Sequence, residues 1–280
     1  MKNLRLVCAA AVALSFSLSA HAVTVFLENF PAAPNELTDP SHVTLPNGTY
    51  ATLPNKGDAD LGAGTFRSYM DGSLTTGIAS AMYSGIANTD PLVLTNNTVS
   101  PITIAAGALS AHVSGTYSIT PVPNGSGSAQ VNTGLHINVC SFYNCDGTYD
   151  AYANSQSIWG FDAQGNVIPS VTRFTSGVTE TGGGHTNITH AGLDGITADL
   201  LMPEIVINPG EFMLVSFILM PAAPGKTAIA DFYTEGASLS LVLPEGVTLD
   251  SNAAVPLTWL TTVPVPGAAW LFGAALAGFA

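Results

Sequence analysis

Positive charge is the scarcest feature of this 280-residue chain. Six lysines and arginines stand against nineteen aspartates and glutamates, so the formal net charge is −13. A surface of this kind repels phosphate groups, which excludes nucleic acid and anionic lipid as partners. Charged residues of both signs make up only 9% of the chain, and this low content argues against disorder caused by charge repulsion.

Two of the few basic residues lie together at the start of the chain. Lys2 and Arg5 precede an apolar stretch over residues 6–18, and the small residues Ala20 and Ala22 follow it. A basic start, an apolar core and an Ala-x-Ala site are the three parts of a secretory signal peptide. We therefore predict a helical signal peptide over residues 1–22, cleavage after Ala22 and an exported mature chain.

Cysteine is nearly as rare, with three residues in the chain. Cys8 lies in the predicted signal peptide and leaves with it. Cys140 and Cys145 remain, and two thiols are too few for a structural zinc site. The oxidising compartment of an exported protein favours a disulfide between them. The loop between them is short, so the bond closes a turn rather than the whole domain.

The last eighteen residues contain no charge at all. Two prolines at alternate positions, Pro264 and Pro266, fix an extended start, and Pro266 suits the first position of a helix. The apolar run that follows is shorter than the roughly 20 residues of a full membrane span. It predicts a short apolar helix that inserts into a membrane, and the alternative is a C-terminal helix of the hydrophobic core. No polar face is present to turn toward water, which favours the membrane.

This tail also resembles a known group of sorting signals. The residues that carry the likeness are Val263, Pro264, Val265, Pro266, Gly267, Ala268, Ala269, Trp270, Leu271, Phe272 and Gly273. They are similar to the PEP-CTERM family of C-terminal signals, in particular the VPLPA-CTERM variant, although Val265 stands where the commonest form has Glu. The resemblance implies an exosortase-type enzyme as partner, export in a Gram-negative bacterium, and association with exopolysaccharide in a biofilm.

The central part of the chain is rich in Gly, Ser, Thr, Asn and β-branched residues, a mixture that suits short strands joined by turns. We predict a mainly β fold, an antiparallel β-sandwich or jelly roll over residues 23–250, with a linker over 251–262 and the tail over 263–280. Residues 196–207, 212–220 and 227–233 are predicted as the most buried strands. Residues 230–247 look like the final hairpin often found ahead of such tails.

The clearest alternation of apolar and polar residues covers residues 109–120 and 130–139. A turn-rich connector separates the two stretches, so we predict an antiparallel hairpin with a long loop. His112 and His136 would then share its polar face. Two histidines can bind a metal, but no carboxylate accompanies them on these strands, and solvated side chains are the favoured interpretation.

Two further segments carry groups that can bind or react. Asp58 and Asp60 lie in a short polar segment that is either a solvated turn or a Ca²⁺ loop, but they lack the EF-hand register. Residues 177–195 are predicted as a flexible loop, and His185 and His190 within it lack the metal-binding His-Glu-x-x-His spacing. Solvated loops are favoured over sites, so no metal or cofactor is expected. The possible acids and bases in or near the second segment are Glu180, His185, His190, Asp194 and Asp199.

Three functions follow from these patterns. The leading hypothesis is a non-enzymatic surface or matrix protein, held at the inner membrane as a precursor and then sorted to the cell surface or outside. The second is a carbohydrate-binding module or adhesin. The third is a secreted hydrolase that uses the acids and histidines of residues 177–199. Exposed aromatic side chains on a flat face would favour binding, whereas their burial would favour a scaffold; the candidates are Tyr143, Tyr149, Tyr152 and Trp159.

Overall fold

The computed structural model describes residues 23–30, 42–45, 48–52, 55–60, 62–71, 76–83, 92–142, 144–223, 228–253 and 256–262. Within these ranges the chain forms strands and no helix, and nearly all strand pairs are antiparallel. The predicted β-sandwich is therefore confirmed. The signal peptide, its cleavage site at Ala20 and Ala22, and the sorting motif over residues 263–273 lie outside the described residues.

Most strands belong to two sheets, which we call the front sheet and the back sheet. In chain order the front sheet contains β1 (Val23–Phe30), β2 (His42–Leu45), β6 (Thr76–Tyr83), β7 (Leu92–Thr95), β10 (Ser126–Cys140), β11 (Cys145–Gly160), β12 (Arg173–Thr181), β16 (Phe212–Ala222) and β18 (Asp250–Ser251). The back sheet contains β3 (Gly48–Thr52), β4 (Asn55–Asp60), β5 (Thr65–Asp71), β9 (Leu109–Ile119), β13 (His185–Gly192), β14 (Gly195–Leu201), β17 (Ala228–Leu243) and β19 (Leu260–Thr262). A separate pair consists of β8 (Ile102–Ile104) and β15 (Ile205–Ile207).

Spatial order differs from chain order. The front sheet runs β12-β11-β10-β16-β6-β1-β2. Along the same side of β16, residues 217–222 pair with β6 and residues 212–215 pair with β7. The back sheet runs β13-β14-β9-β17-β5-β4-β3. The consecutive strands β16 and β17 thus form the centre of opposite sheets, which explains why their sequences are among the most apolar.

The core lies between the two sheets and is made by alternate residues of each strand. Phe66 of β5 and Phe217 of β16 are fully buried, and their ring centroids are 4.8 Å apart across the sheets. A buried polar contact joins the sheets as well, because the hydroxyls of Tyr117 and Ser155 lie 2.6 Å apart. Burial raises the pKa of Tyr117 far above its ordinary range, so this phenol stays neutral.

The predicted hairpin of β9 and β10 is wrong. Strand β9 pairs with β14 and β17, whereas β10 pairs with β11 and β16. Their connector crosses from the back sheet to the front sheet. Each strand has one apolar face. Placing the two strands in opposite sheets buries both apolar faces in the core as well as a hairpin would. Alternation shows which face is buried but not which strand lies alongside.

The predicted flexible loop over residues 177–195 is also wrong, since β12, β13 and the start of β14 occupy it. The turn between β12 and β13 carries the chain from the front sheet to the back sheet. Gly182 and Gly183 have positive φ angles of 65° and 89°, and a Cβ at Gly182 would overlap the carbonyl oxygen of Thr148. The glycines therefore provide a tight turn against β11 rather than mobility.

Two boundaries near the C-terminus differ from the prediction. Residues 228–243 form one strand with a bulge after Asp231, not two strands of a hairpin, and Asp231 accepts hydrogen bonds from the backbone of Tyr233 and Thr234 at the bulge. Residues 256–262 of the predicted linker belong to the sandwich, because Trp259 is 5% exposed and β19 pairs with β17.

Candidate functional site

The outward side of β10, β11 and β12 forms a continuous polar surface, which we call the polar face. Residues that alternate with it, such as Val131, Leu135 and Ile137, are fully buried in the core. The strand register places the outward residues in rows across the sheet. The face consists of Gln130, Asn132, His136 and Asn138 on β10, Thr148, Asp150, Tyr152, Asn154 and Gln156 on β11, and Thr175, Thr179 and Thr181 on β12.

A chain of hydrogen bonds fixes the middle of the polar face. Thr148 Oγ1 donates to Asn138 Oδ1 over 2.8 Å, and Asn138 Nδ2 donates to Nε2 of His136 over 2.8 Å. Since Nε2 accepts, the proton of the neutral ring lies on Nδ1, which donates to Asp150 Oδ1. The side chain of Tyr152 also bonds to Asp150. Five side chains on two strands are therefore held in one geometry.

Tyr152 keeps its proton in this position. Burial raises the pKa of its phenol first, followed by the negative charge of Asp150 and the hydrogen bond to that carboxylate. The neutral phenol donates to Asp150, so the ring has a fixed orientation on the sheet.

Glycines opposite large side chains make the polar face flat. Gly134 lies directly across from Tyr152, and a Cβ at position 134 would overlap the tyrosine ring. Gly177 lies across from Asn154, and a Cβ there would come within 3.2 Å of Asn154 Oδ1. Both large side chains thus lie over a neighbouring strand. The result is a flat surface that carries one aromatic ring and several amides.

A serine, a histidine and an aspartate, the residue types of an acyl-transfer site, lie in one row across β16, β10 and β11. In the strand register Ser216 of β16 is opposite His136, which in turn is opposite Asp150. However, Ser216 is only 6% exposed, and Nε2 of His136 accepts from Asn138. A serine nucleophile needs that nitrogen as its base and access to a substrate. The arrangement holds hydrogen-bonding groups in place rather than presenting a nucleophile to solvent.

Three further histidines form separate pairs with carboxylates. His112 lies 2.7 Å from Asp199, His185 lies 3.0 Å from Glu180, and His190 lies 3.1 Å from Asp194. His112 and His136 do not share a face, because they lie in different sheets. The five groups proposed from residues 177–199 do not converge on one point. In the described ranges no three histidine, cysteine or acidic side chains are grouped as metal ligands.

The Asp58 and Asp60 segment is neither a turn nor a cation loop. It forms strand β4, which pairs with β3 and β5 in the back sheet. Asp60 Oδ1 instead accepts a hydrogen bond from the backbone of Ala63 in the following turn.

The aromatic candidates are divided between core and surface. Trp159 is 7% exposed in the core, and Tyr149 packs partly against the core. Tyr152 lies on the polar face, and Tyr143 lies outside the described residues. The predicted disulfide pair is in position: Cys140 and Cys145 are opposite each other where β10 and β11 join, and they form a disulfide there.

The key pairing of His136 with Asp150 was missed by sequence reasoning, which looked for a carboxylate on the wrong strand. The signal was present in the disulfide. If Cys140 and Cys145 are opposite, the pairs can be counted from the disulfide, backward along β10 and forward along β11. With a shift of one residue for a bulge, this count brings His136 beside Asp150.

In the part of the chain that the structure describes, no helix has the length and apolar character needed to cross a membrane. No protein-family model, curated protein or solved structure matches the chain.

Proposed function

We propose that the chain is an exported, non-enzymatic surface or matrix protein that binds extracellular polysaccharide through its polar face. The predicted signal peptide supports export, and the tail over residues 263–280 supports sorting to the envelope by an exosortase-type enzyme. The disulfide position suits an oxidising compartment. In this proposal the precursor is held at the inner membrane, and the mature protein is at the cell surface or in the matrix.

The observation that carries the proposal is the flat surface around Tyr152. An aromatic ring offers an apolar surface to the ring of a sugar, and amides both donate to and accept from its hydroxyls. Asn132 and Asn154 supply such amides in the next outward row of the sheet, and Gln156 supplies another farther along the same face. From Gln130 to Asn138 the face extends about 27 Å along the strand, which is long enough for several sugar units of a linear polymer.

A second candidate is a purely structural protein that binds no glycan. The burial of Trp159 favours it, because the largest aromatic side chain among the candidates contributes to the core instead of a binding surface.

One substitution distinguishes the two candidate functions. Tyr152→Ala should abolish retention by the host's extracted exopolysaccharide in affinity electrophoresis and leave folding intact. The matched control is Tyr69→Ala, since Tyr69 is half-buried on the outer side of the back sheet beside acidic residues. Equal retention of both variants and the unmodified protein, or no retention of any of them, would favour the structural candidate.

The tail is tested separately by two forms of the exported chain, one that ends at Thr262 and one that ends at Ala280. The aromatic and leucine side chains of the tail gain roughly 25 cal/mol for each Å² buried in the membrane. We expect the longer form to sediment with membranes and the shorter form to remain in solution. If both forms remain in solution, the tail does not hold the precursor at the membrane.

A further inference from the structure

A small pocket lies at the end of the front sheet where the disulfide joins β10 and β11. Its volume is about 180 Å³, and its lining includes Val139, Ser141, Tyr149, Val206, Asn208 and Glu211. Ligand pockets for larger organic molecules are about 300–1,000 Å³, so this one suits a single ring or a small group. The pocket is separate from the polar face, because Val139 and Tyr149 point to the opposite side of the sheet from the residues of that face.

Glu211 is the charged group of this pocket, and its position is fixed. Its Oε2 accepts hydrogen bonds from the backbone nitrogen of Asn208 over 2.8 Å and from Asn208 Nδ2 over 3.0 Å. Both donors are neutral, and the described residues that line the pocket include no lysine or arginine. The negative charge is therefore oriented but not neutralised by its own surroundings.

Aromatic rings accompany this carboxylate. Tyr149 forms part of the pocket wall, and Phe142 follows the lining residue Ser141 in the loop that the disulfide closes. Phe142 is 82% exposed, which is unusual for a phenylalanine. A short loop closed by a disulfide loses little backbone freedom when it binds a ligand, so Phe142 stands on a constrained segment next to the lining residue Ser141.

A carboxylate beside aromatic rings selects a cation. An ammonium group gains from the charge of Glu211 and from the faces of the rings, whereas an anion is repelled by both. A divalent metal needs several oxygen ligands, and Glu211 is the single carboxylate among the described residues of the lining. The net charge of −13 draws cationic ligands toward the whole molecule.

We propose that the pocket binds the ammonium group of an amino sugar, so that the polysaccharide recognised by this protein carries free amines. This inference rests on the proposed function, which supplies the polysaccharide, and adds the chemical feature by which it is chosen. The polar face contacts hydroxyls along the polymer, and Glu211 contacts one protonated amine at the disulfide-closed end.

The test uses two oligosaccharides of equal length that differ only in the amine. One is a fully de-N-acetylated chitooligosaccharide and the other is its fully N-acetylated counterpart, each titrated calorimetrically into the mature protein. Measurements at about pH 6 keep the amine protonated. We expect at least a tenfold preference for the amine form, and we expect Glu211→Gln to remove it. The matched control is Glu245→Gln, which removes the same charge from an exposed turn and should keep the preference.

Phe142→Ala is the second variant, because an exposed side chain can be removed without loss of folding even if Glu211→Gln is unstable. It should weaken binding of the amine form severalfold. Equal binding of both oligosaccharides, a preference that survives Glu211→Gln, or one that Glu245→Gln also removes would overturn the inference. None of these results bears on Tyr152→Ala and the extracted polymer, which decide the proposed function independently.

A lysine side chain of a protein partner offers the same ammonium chemistry. Glucosamine and Nα-acetyl-lysine methylamide, whose side-chain amine is free, are therefore compared as competitors of the bound oligosaccharide at equal concentrations. Stronger competition by glucosamine supports the amino sugar. Stronger competition by the lysine derivative would overturn it in favour of a peptide amine.

Discussion

Strands β9 and β10 have similar sequences and very different surroundings. Each alternates apolar and polar residues, each carries one histidine paired with an aspartate, and each contains a glycine beneath an aromatic ring. In β9, Gly115 makes room for Phe232 inside the core. In β10, Gly134 makes room for Tyr152 on the outer surface. A glycine that makes room for an aromatic ring therefore serves core packing in one sheet and a flat outer surface in the other.

The histidine pairs differ in the same way. The side chains of His112 and Asp199 are 54% and 34% exposed, whereas those of His136 and Asp150 are 19% and 16% exposed. Tyr152 and Asn138 bond to the second pair and shield it from water. A histidine pair on a sheet surface becomes part of a fixed network only when larger neighbours lie beside it.

The largest expected effect separates the two glycines. In Gly115→Ala the new methyl group would overlap the ring of the buried Phe232, and overpacking of this kind should lower the free energy of unfolding by about 3 kcal/mol. Gly134→Ala displaces only the surface ring of Tyr152, so it should cost less than about 1 kcal/mol and still weaken polysaccharide binding. Urea denaturation of both variants measures the difference. Equal losses of stability would mean that Tyr152 packs as rigidly as the core.

The next effect concerns the disulfide, which closes the end of β10 but has no equivalent on β9. Replacement of both Cys140 and Cys145 by alanine should lower the free energy of unfolding by about 2 kcal/mol, because a short loop restricts the unfolded chain only modestly. Thermal denaturation of the oxidised protein and the variant measures this loss. Labelling of both thiols in exported protein without prior reduction would contradict the bond.

A smaller difference is expected between the histidines. His136→Ala leaves the half-buried Asp150 with fewer partners and should cost about 1–2 kcal/mol. His112→Ala breaks an exposed pair and should cost less than about 1 kcal/mol. Double-mutant cycles with Asp150→Ala and Asp199→Ala isolate the two pair energies. A larger coupling for the His112 pair would reverse the comparison.

The smallest expected effect appears at alkaline pH. Burial and nearby acids raise the pKa of both Tyr152 and Tyr69 above 10.0, so the folded protein keeps protons that the unfolded chain releases. Stability should therefore fall as the pH rises through 10 and above. Tyr152→Phe and Tyr69→Phe should each make this fall less steep, as measured by urea denaturation between neutral and alkaline pH. An unchanged slope in both variants would contradict the raised pKa values.

The inward side of most strands was predictable because alternation reports burial directly. Residues 212–220 were correctly predicted as a buried strand, and they lie at the centre of the front sheet. The partners of β9 and β10 were not predictable in this way, since a strand with one apolar face can bury that face against the core from either sheet. The strand β4 was missed because its sequence contains turn-forming residues, and pairing on both sides overrides that preference.

The polar face was less predictable than the fold. Its amides and Tyr152 alternate visibly with the core residues, but their use depends on the register of three strands. A shift of one residue between Val139 and Cys140 decides that His136 meets Asp150. Such a bulge leaves no clear trace in composition or alternation, so the disulfide alone gives the register only to within one residue.

The separation of β16 and β17 into opposite sheets has a consequence for the order of folding. Both strands pair with segments that precede them by a long stretch of chain, and closing such loops is slow. The hairpin of β10 and β11 is local and is held by its own disulfide, so we expect it to gain protection first during folding. Pulse-labelling hydrogen exchange during refolding should show β10 and β11 protected before β17. The polar face would then begin to form while the back sheet still lacks its central strand.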